Sequence, residues 1–472
     1  MTRRTLLASA ASALPQLASM SAAQPRKNQP NVLFLPVDDM NDWVAGFGGH
    51  PQTITPSIAR IERRGIIFQR AYCNAPMCNP SRASLLTGRR PSSTSIYWND
   101  DTWRDGAPSA VTLTEHFKNN GYHVAGGGKI FHSKQTDFGA FHEYFEDEDE
   151  PDDDAPGASS KKDKKFQWHA LDVPDEKTND TKVALWAADF LRRKHDKPFF
   201  LAPGFRKPHL PWNVPKRYFD KFDPARIELP PYLANDLDDV PPSATSPKRM
   251  ETFRKIRDAG KWREAVAAYL ACINYTDTNI GRVLDALDAS PHRDNTIIVL
   301  WGDHGWHLGE KDHWQKFTLW ERSCRAPFVI AAPGFTKPGS QTRRVAEYID
   351  MYPTMIDLCG LPKVAGLEGK SLVPLMKDPA RPWDAAAVTS YGPDHITVRT
   401  EGWRYSKHPD GEELYDETSD PNEWTNLAEK PEHAAKKREL AALFPKNISQ
   451  KKLRSWTEIA PAEKARLRRK RA

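Results

Sequence analysis

A pair of adjacent aspartates, a cysteine two residues ahead of a proline, and an aspartate joined to a histidine are the residues of this chain best suited to act together. Asp38-Asp39 follows the apolar run Asn31 to Val37, and Lys129 and His132 follow Tyr122 to Ala125. His209 follows Pro198 to Ala202, and Asp303-His304 follows Asn295 to Trp301. Each group stands just past a short apolar segment that reads as a buried strand. In an open parallel α/β sheet the carboxyl ends of the strands share one edge, where ligands bind, so four separate segments are expected to meet in one pocket. Three carboxylates and an imidazole brought together repel unless a cation neutralises them, and hard oxygen donors point to Ca²⁺ or Mg²⁺. Taken alone, Asp38-Asp39 could equally cap a turn. In the run Cys78-Asn79-Pro80-Ser81-Arg82, Pro80 suits the first turn of a helix, which sets Cys78 at a helix start whose free N–H groups attract an anion. A nucleophile there would meet a sulfate or phosphate group. Arg82, about one turn on, either offers a fork of donors to such an oxyanion or pairs with a nearby carboxylate.

These residues need a scaffold, and the rest of the chain predicts an α/β one. Thr55-Pro56 opens a helix that Gly65 closes, and Ile66 to Phe68 resumes as strand. Thr112 with Glu115 fits a capping box ahead of a helix ending near Gly121. Strands alternating with helices imply a large, mainly parallel sheet covered on both faces. A long helix around Trp262 to Leu287 carries Val266, Leu270, Ile273, Ile280, Leu284 and Leu287 as a core-facing stripe. Asp277 interrupts that stripe and is expected to cap or bond a neighbouring loop. From about Val388 short strands, including Ile396 to Arg399 and Trp403 to Ser406, predict a small antiparallel sheet.

At 472 residues the chain exceeds a typical single core. Its 68 Lys and Arg against 62 Asp and Glu give a net charge of +6, too small a surplus over this length to argue for nucleic acid. Residues 1–23 read as an export signal, with Arg3-Arg4 ahead of a mildly apolar stretch and Ser21-Ala22-Ala23 before Gln24. Twin-arginine and ordinary Sec export both remain open, and either implies a periplasmic or secreted protein. That stretch is too short to span a membrane, and no other apolar stretch approaches a span. The acidic block Glu146 to Asp154 and the lysines Lys161 to Lys165 read as a solvated insertion. If Cys78 is set aside, Cys73, Cys272, Cys324 and Cys359 allow three complete pairings, among which the sequence does not choose.

The cysteine run, continued as Ala83-Ser84-Leu85-Leu86-Thr87-Gly88-Arg89, resembles the sulfatase activation motif, in which a maturation enzyme oxidises the cysteine to formylglycine. Gly128-Lys129-Ile130-Phe131-His132, Lys207-Pro208-His209, Gly302 to Glu310 and Trp314-Gln315-Lys316 are similar to strings of the iduronate-2-sulfatase branch. There His rather than Asn follows the later metal aspartate. The resemblance covers roughly Asn31 to Leu427 and implies an alkaline-phosphatase-like fold. The chain is then expected to divide into the export segment 1–23, a sulfatase catalytic domain over 24–387, a small antiparallel-sheet subdomain over 388–430 and a helical or frayed basic tail over 431–472.

The resemblance also implies roles. Ca²⁺, with Mg²⁺ as the lesser alternative, would be held by Asp38, Asp39, the formylglycine derived from Cys78, Asp303 and His304. The hydrated aldehyde would attack sulfur, Lys129 and Lys316 would stabilise the transferred group, and His209 would protonate the leaving alcohol, with help from Lys316. His132 would assist the release of sulfate. A sulfated carbohydrate is the expected substrate. Aromatic and polar residues beside the catalytic strings, Trp98 and Asn99 and then Trp212, suit a sugar, although the two tryptophans could equally pack in the core. Lys207 is either a uronate contact or an ordinary surface lysine. The expectation is a preference for a terminal 2-O-sulfated uronic acid, or a similar unit of an acidic polysaccharide, over aryl or choline sulfate. A phosphonate or phosphate ester hydrolase of the same superfamily and a noncatalytic binder of sulfated glycans are the alternatives.

Overall fold

The computed structural model describes residues 29–132, 135–146 and 166–468. The export segment and the insertion from residue 147 to 165 lie outside the described residues. Eight strands, β1 (Asn31–Val37), β2 (Ile66–Tyr72), β3 (His123–Gly128), β4 (Glu143–Phe145), β5 (Phe199–Gly204), β6 (Thr296–Gly302), β7 (Phe328–Ala331) and β8 (Ser340–Glu347), form one sheet. Their order is β8-β2-β7-β6-β1-β5-β3-β4. Only β7 runs antiparallel to its neighbours. Every residue of β1, β5 and β6 is buried, as continuous apolar strands covered on both faces must be.

The register aligns the strand ends. Val37 stands opposite Gly302 and Gly128 opposite Gly204, so β1 ends with β6 and β3 ends with β5. The close approach at the second pair requires glycine. A Cβ on Gly128, which adopts φ +67°, would come within 2.1 Å of the Gly204 carbonyl oxygen.

Helix α1 (Pro56–Arg64) follows β1, and α2 (Cys78–Thr87) follows β2. Two more helices, α3 (Pro247–Asp258) and α4 (Trp262–Asp288), precede β6. The apolar stripe expected along α4 is buried throughout. Asp277 lies within it and accepts hydrogen bonds from the backbone N–H groups of Ser57 at 3.1 Å and Ile58 at 2.8 Å. The first turn of α1 is therefore capped from α4, while the Thr55 hydroxyl accepts instead from the Ala45 N–H. Thr112 does cap its own helix, accepting from the Glu115 N–H.

A separate antiparallel sheet, β9 (Ala387–Ser390), β10 (Ile396–Arg399), β11 (Trp403–His408) and β12 (Gly411–Asp416), docks beside β2 and β8. The Ser390 N–H donates to Asn74 and the Val388 N–H to Glu347. The tail carries two short helices, Ala434–Ala441 and Pro461–Leu467, and its intervening segment is tied to the body. The Ser449 N–H donates to the Ser92 carbonyl, the Thr102 N–H to the Arg454 carbonyl, and Arg454 pairs with Asp105 at 2.6 Å. All five cysteines are buried free thiols. No helix among the described residues is long and apolar enough to cross a membrane.

Candidate active site

Helix α2 carries Cys78 as its first residue, and all ten of its residues are buried. Its start is held by side chains from a neighbouring loop. The Asn79 N–H donates to Asn99 Oδ1 at 3.0 Å, and Asn79 Nδ2 donates to the carbonyls of Trp98 and Asp101. The Ser81 hydroxyl donates to the Asp303 carbonyl, which ties the helix to the end of β6.

Four groups from outside the helix face the Cys78 sulfur. Lys316 Nζ lies 2.9 Å from Sγ, His304 Nε2 3.4 Å, Lys129 Nζ 3.9 Å and Asp39 Oδ1 3.9 Å. Burial, with the charge of Asp38, pushes the thiol well up, so the sulfhydryl keeps its proton at neutral pH. Burial opposes the charge of Lys316, yet Asp39, Cys78, Asp38 and Asp303 together outweigh it and raise the ammonium above its ordinary value.

Asp39 sits in the left-handed region at φ +58°, a conformation Asp tolerates. Three contacts fix it: its N–H donates to Asp303 Oδ1 at 2.9 Å, its carbonyl accepts from the Tyr269 hydroxyl, and Oδ1 accepts from Lys316 Nζ at 2.5 Å. Asp38 pairs with Lys129 and with Arg82, 3.1 Å away. Burial alone would raise its carboxyl, but Lys129 and Arg82 overcome that and hold it well below the usual carboxylate range. Arg82 spends its guanidinium on Asp303 Oδ2 at 2.9 Å, on Asp38, and on the carbonyls of Lys129 and Ile130. The carboxylate pairing is therefore its observed arrangement, and it positions two of the three aspartates.

Two features fit a hard cation. Asp39 Oδ2 is buried without a hydrogen-bond partner. His304 turns Nδ1 to the Gly305 carbonyl at 3.0 Å and presents Nε2 to Asp39 Oδ1 at 3.3 Å and Asp303 Oδ1 at 3.6 Å. Burial and Lys316 push its imidazole down to about 3, so it is neutral, with a lone pair turned towards carboxylate oxygens. That is the posture of a metal-ligating histidine whose other nitrogen is held by a carbonyl. Ligand atoms of Asp38, Asp39, Cys78 and His209 lie within 4.8 Å of one another, as do those of Cys78, Asp303 and His304.

His209 stands partly exposed at the mouth, with Nδ1 2.5 Å from the Leu210 carbonyl and Nε2 3.8 Å from Asp39 Oδ2. His132 lies within electrostatic reach of Lys129, Asp38 and Lys316, and burial, reinforced by Lys129, holds its imidazole neutral.

The four residues singled out for substrate divide. Trp98 is exposed, 43% accessible, with its ring edge-on to Tyr391. Trp212 is fully buried, packed among Tyr269, Trp306 and Trp314, and its indole N–H donates to the Pro208 carbonyl at 2.7 Å. Its proximity to His209 in sequence does not carry it to the surface, because residues 212–215 turn inward to pair with Trp168–Leu171. Asn99 caps α2, and the buried Lys207 donates its ammonium to the Pro211 carbonyl at 2.7 Å. Beside Lys316, sequence reasoning missed the mutually contacting Phe317, Tyr391 and Arg249. Adjacency to Lys316 could have drawn attention to Phe317, but the other two are brought there only by tertiary folding.

An open, mainly parallel sheet with acidic and basic groups gathered at the carboxyl ends of its strands is the architecture of the alkaline-phosphatase-like hydrolases. The sulfatase family pattern matches residues 30–361, and a second, N-sulphoglucosamine sulphohydrolase, C-terminal, matches residues 309–450. The chain belongs to the sulfatase family and is a sulfuric ester hydrolase. It is 37% identical to a sulfatase of Formosa agariphila over 90% of this chain and 88% of that one. It is 29% identical to human iduronate 2-sulfatase over 73% and 72% of the respective chains. A protein solved in complex with its substrate D-glucosamine-2-N,6-O-disulfate shares the fold, with a TM-score of 0.70, 24% identity and coverage of 88% of this chain and 96% of that one.

Proposed function

We propose that this sulfatase removes a sulfate ester from a sulfated sugar, a uronic acid or related unit of an acidic polysaccharide, using formylglycine made from Cys78 and a bound calcium. The observation that carries the reading is the convergence of Lys316, Lys129 and His304 on the Cys78 sulfur, beside three buried aspartates. The 29% identity to human iduronate 2-sulfatase supports the substrate class.

Asp38, Asp39, Asp303 and His304 would hold the cation, together with the side chain at position 78. When bound, the cation supplies a Lewis acid for a sulfate oxygen, and the converted residue supplies a hydroxyl nucleophile. The chain's own residues do the rest. Lys316 and Lys129 place two ammonium groups beside position 78, where they neutralise charge on the oxygens of the transferred group. Arg82 pairs with both Asp38 and Asp303 and orients them. His209 turns Nδ1–H to the Leu210 carbonyl and Nε2 towards Asp39 Oδ2, so the proton for the leaving alcohol would be held at Nε2 of an imidazolium that burial opposes and Asp39 favours. The neutral His132 would take up a proton from the group at position 78.

The unit that does this spans the large sheet, with β9–β12 as a smaller subdomain, and export through residues 1–23 would deliver it outside the cytoplasm. The test is sulfate release from a panel of defined sulfated oligosaccharides, aryl sulfate and choline sulfate. Higher kcat/KM on a sulfated uronide than on both simple esters is expected. Faster turnover of aryl sulfate than of every oligosaccharide would overturn the sugar assignment.

A further inference from the structure

A closed circuit of contacts starts and ends at Cys78. From Cys78 it passes to its neighbour Asn79, whose side chain holds the Trp98 carbonyl at 2.9 Å. The Trp98 ring meets Tyr391 at 5.5 Å, and Tyr391 meets Phe317 at 6.4 Å. Phe317 follows Lys316, whose ammonium returns to the Cys78 sulfur at 2.9 Å. Phe317 adopts φ +82° and Gln315 φ +75°, conformations that bulky residues avoid and that collect where the surrounding structure dictates them.

Arg249, from the first turn of α3, lies on this circuit. Its guanidinium stacks over Phe317, 4.7 Å from the ring centroid, and lies within electrostatic reach of Tyr391 and Asp39. Among the described residues no carboxylate forms an ion pair with it. This sets it apart from Arg82, Arg322 and Arg404, each held by acidic side chains. A guanidinium has five N–H donors in a planar fork that matches a carboxylate or a sulfate, and stacking on an aromatic ring holds that fork in place.

We propose that Arg249 is a specificity residue that reads a second anionic group, a carboxylate or another sulfate, on the sugar whose sulfate ester is cleaved. The inference rests on the sugar reading above. The cation and the two lysines take the reacting sulfate, Trp98 and Tyr391 offer faces to the sugar ring, and Arg249, beside Phe317 and Tyr391, pairs with the remaining charge.

Binding tests this separately from turnover. In the Cys78→Ala protein, or Cys78→Ser should alanine fail to fold, calorimetry gives Kd for a 2-O-sulfated uronide disaccharide and for its carboxyl-reduced analogue. A disulfated and a monosulfated glucosamine form the second arm. Adding Arg249→Ala is expected to weaken the uronide about tenfold or more and the reduced analogue far less, with Arg249→Lys between. Selective loss on the disulfated sugar instead would assign the second group as sulfate. Equal loss for charged and neutral members of both pairs, or no loss on any, overturns the inference, as does failure of every sugar to bind. Failure of the sugar reading would show separately, as wild-type protein that releases no sulfate from any sugar of the panel.

Discussion

Lys316 Nζ lies 2.9 Å from Cys78 Sγ while donating to Asp39 Oδ1 at 2.5 Å, so one ammonium joins the residue expected to carry the nucleophile to a residue expected to hold the metal. Lys316→Ala is expected to lower kcat about a hundredfold or more, with a smaller change in KM, because its charge matters most when charge develops on the transferred group. Steady-state kinetics on the best substrate checks this. Equal losses in 1/KM and none in kcat would mean that Lys316 only binds.

Cys78→Ala, with folding verified by circular dichroism, should abolish sulfate release. Intact-mass analysis of the wild-type peptide should show the thiol replaced by an aldehyde. Near-normal activity of the variant would exclude a catalytic role for position 78.

The buried, unpartnered Asp39 Oδ2 and the inward-facing His304 Nε2 predict a dependence on metal. Chelation should remove activity and Ca²⁺ should restore it. Ca²⁺ should also raise the Tm of the demetallated protein, and Asp303→Asn should reduce that rise. Demetallated protein of unchanged activity and Tm would rule out the site.

Trp212 and Trp98 should respond in opposite ways. Trp212→Ala empties a fully buried site and is expected to cost about 3–5 kcal/mol, read from urea unfolding. Trp98→Ala removes an exposed ring and should leave stability nearly unchanged while raising KM for sugars.

Asp277 gives a pH signature to folding. Burial pushes its carboxyl up to about 6 despite the two amide bonds it accepts, against about 3.9 for an unfolded aspartate. The folded chain then holds the proton more tightly. This contribution is most favourable below about pH 4, declines as the pH rises through about 6, and is constant above. Comparing wild type with Asp277→Asn by urea unfolding between pH 4 and 8 should show a difference changing by about 3 kcal/mol over that window. Parallel profiles would contradict it.

Much of the site was legible because its residues follow apolar strands. The ends of β1, β3, β5 and β6 could be read as sharing an edge before any coordinates, and the run after Cys78 as a helix start. What stayed hidden depends on contacts between distant segments. Asp277 was visible as an interruption, but its partners Ser57 and Ile58 lie some 220 residues away in sequence. Trp212 stood beside a catalytic string yet turns into the core, and Lys207 bends to its own loop. Arg249 carries no local pattern at all, since only the packing of α3 against Phe317 brings it beside Lys316.

The complete burial of α2 sets an order of events in the protein's biogenesis. Cys78 is 1% accessible, and the helix that follows it has no exposed residue for another protein to grip. Any enzyme that is to alter Cys78 must meet the chain before the sheet closes over it, while residues 78–89 are still an extended peptide. Chain that folds first is locked in the thiol form. Adding a maturation enzyme to such folded material would then leave it inactive, and yield in a foreign host would be set by how the speed of modification compares with the speed of folding.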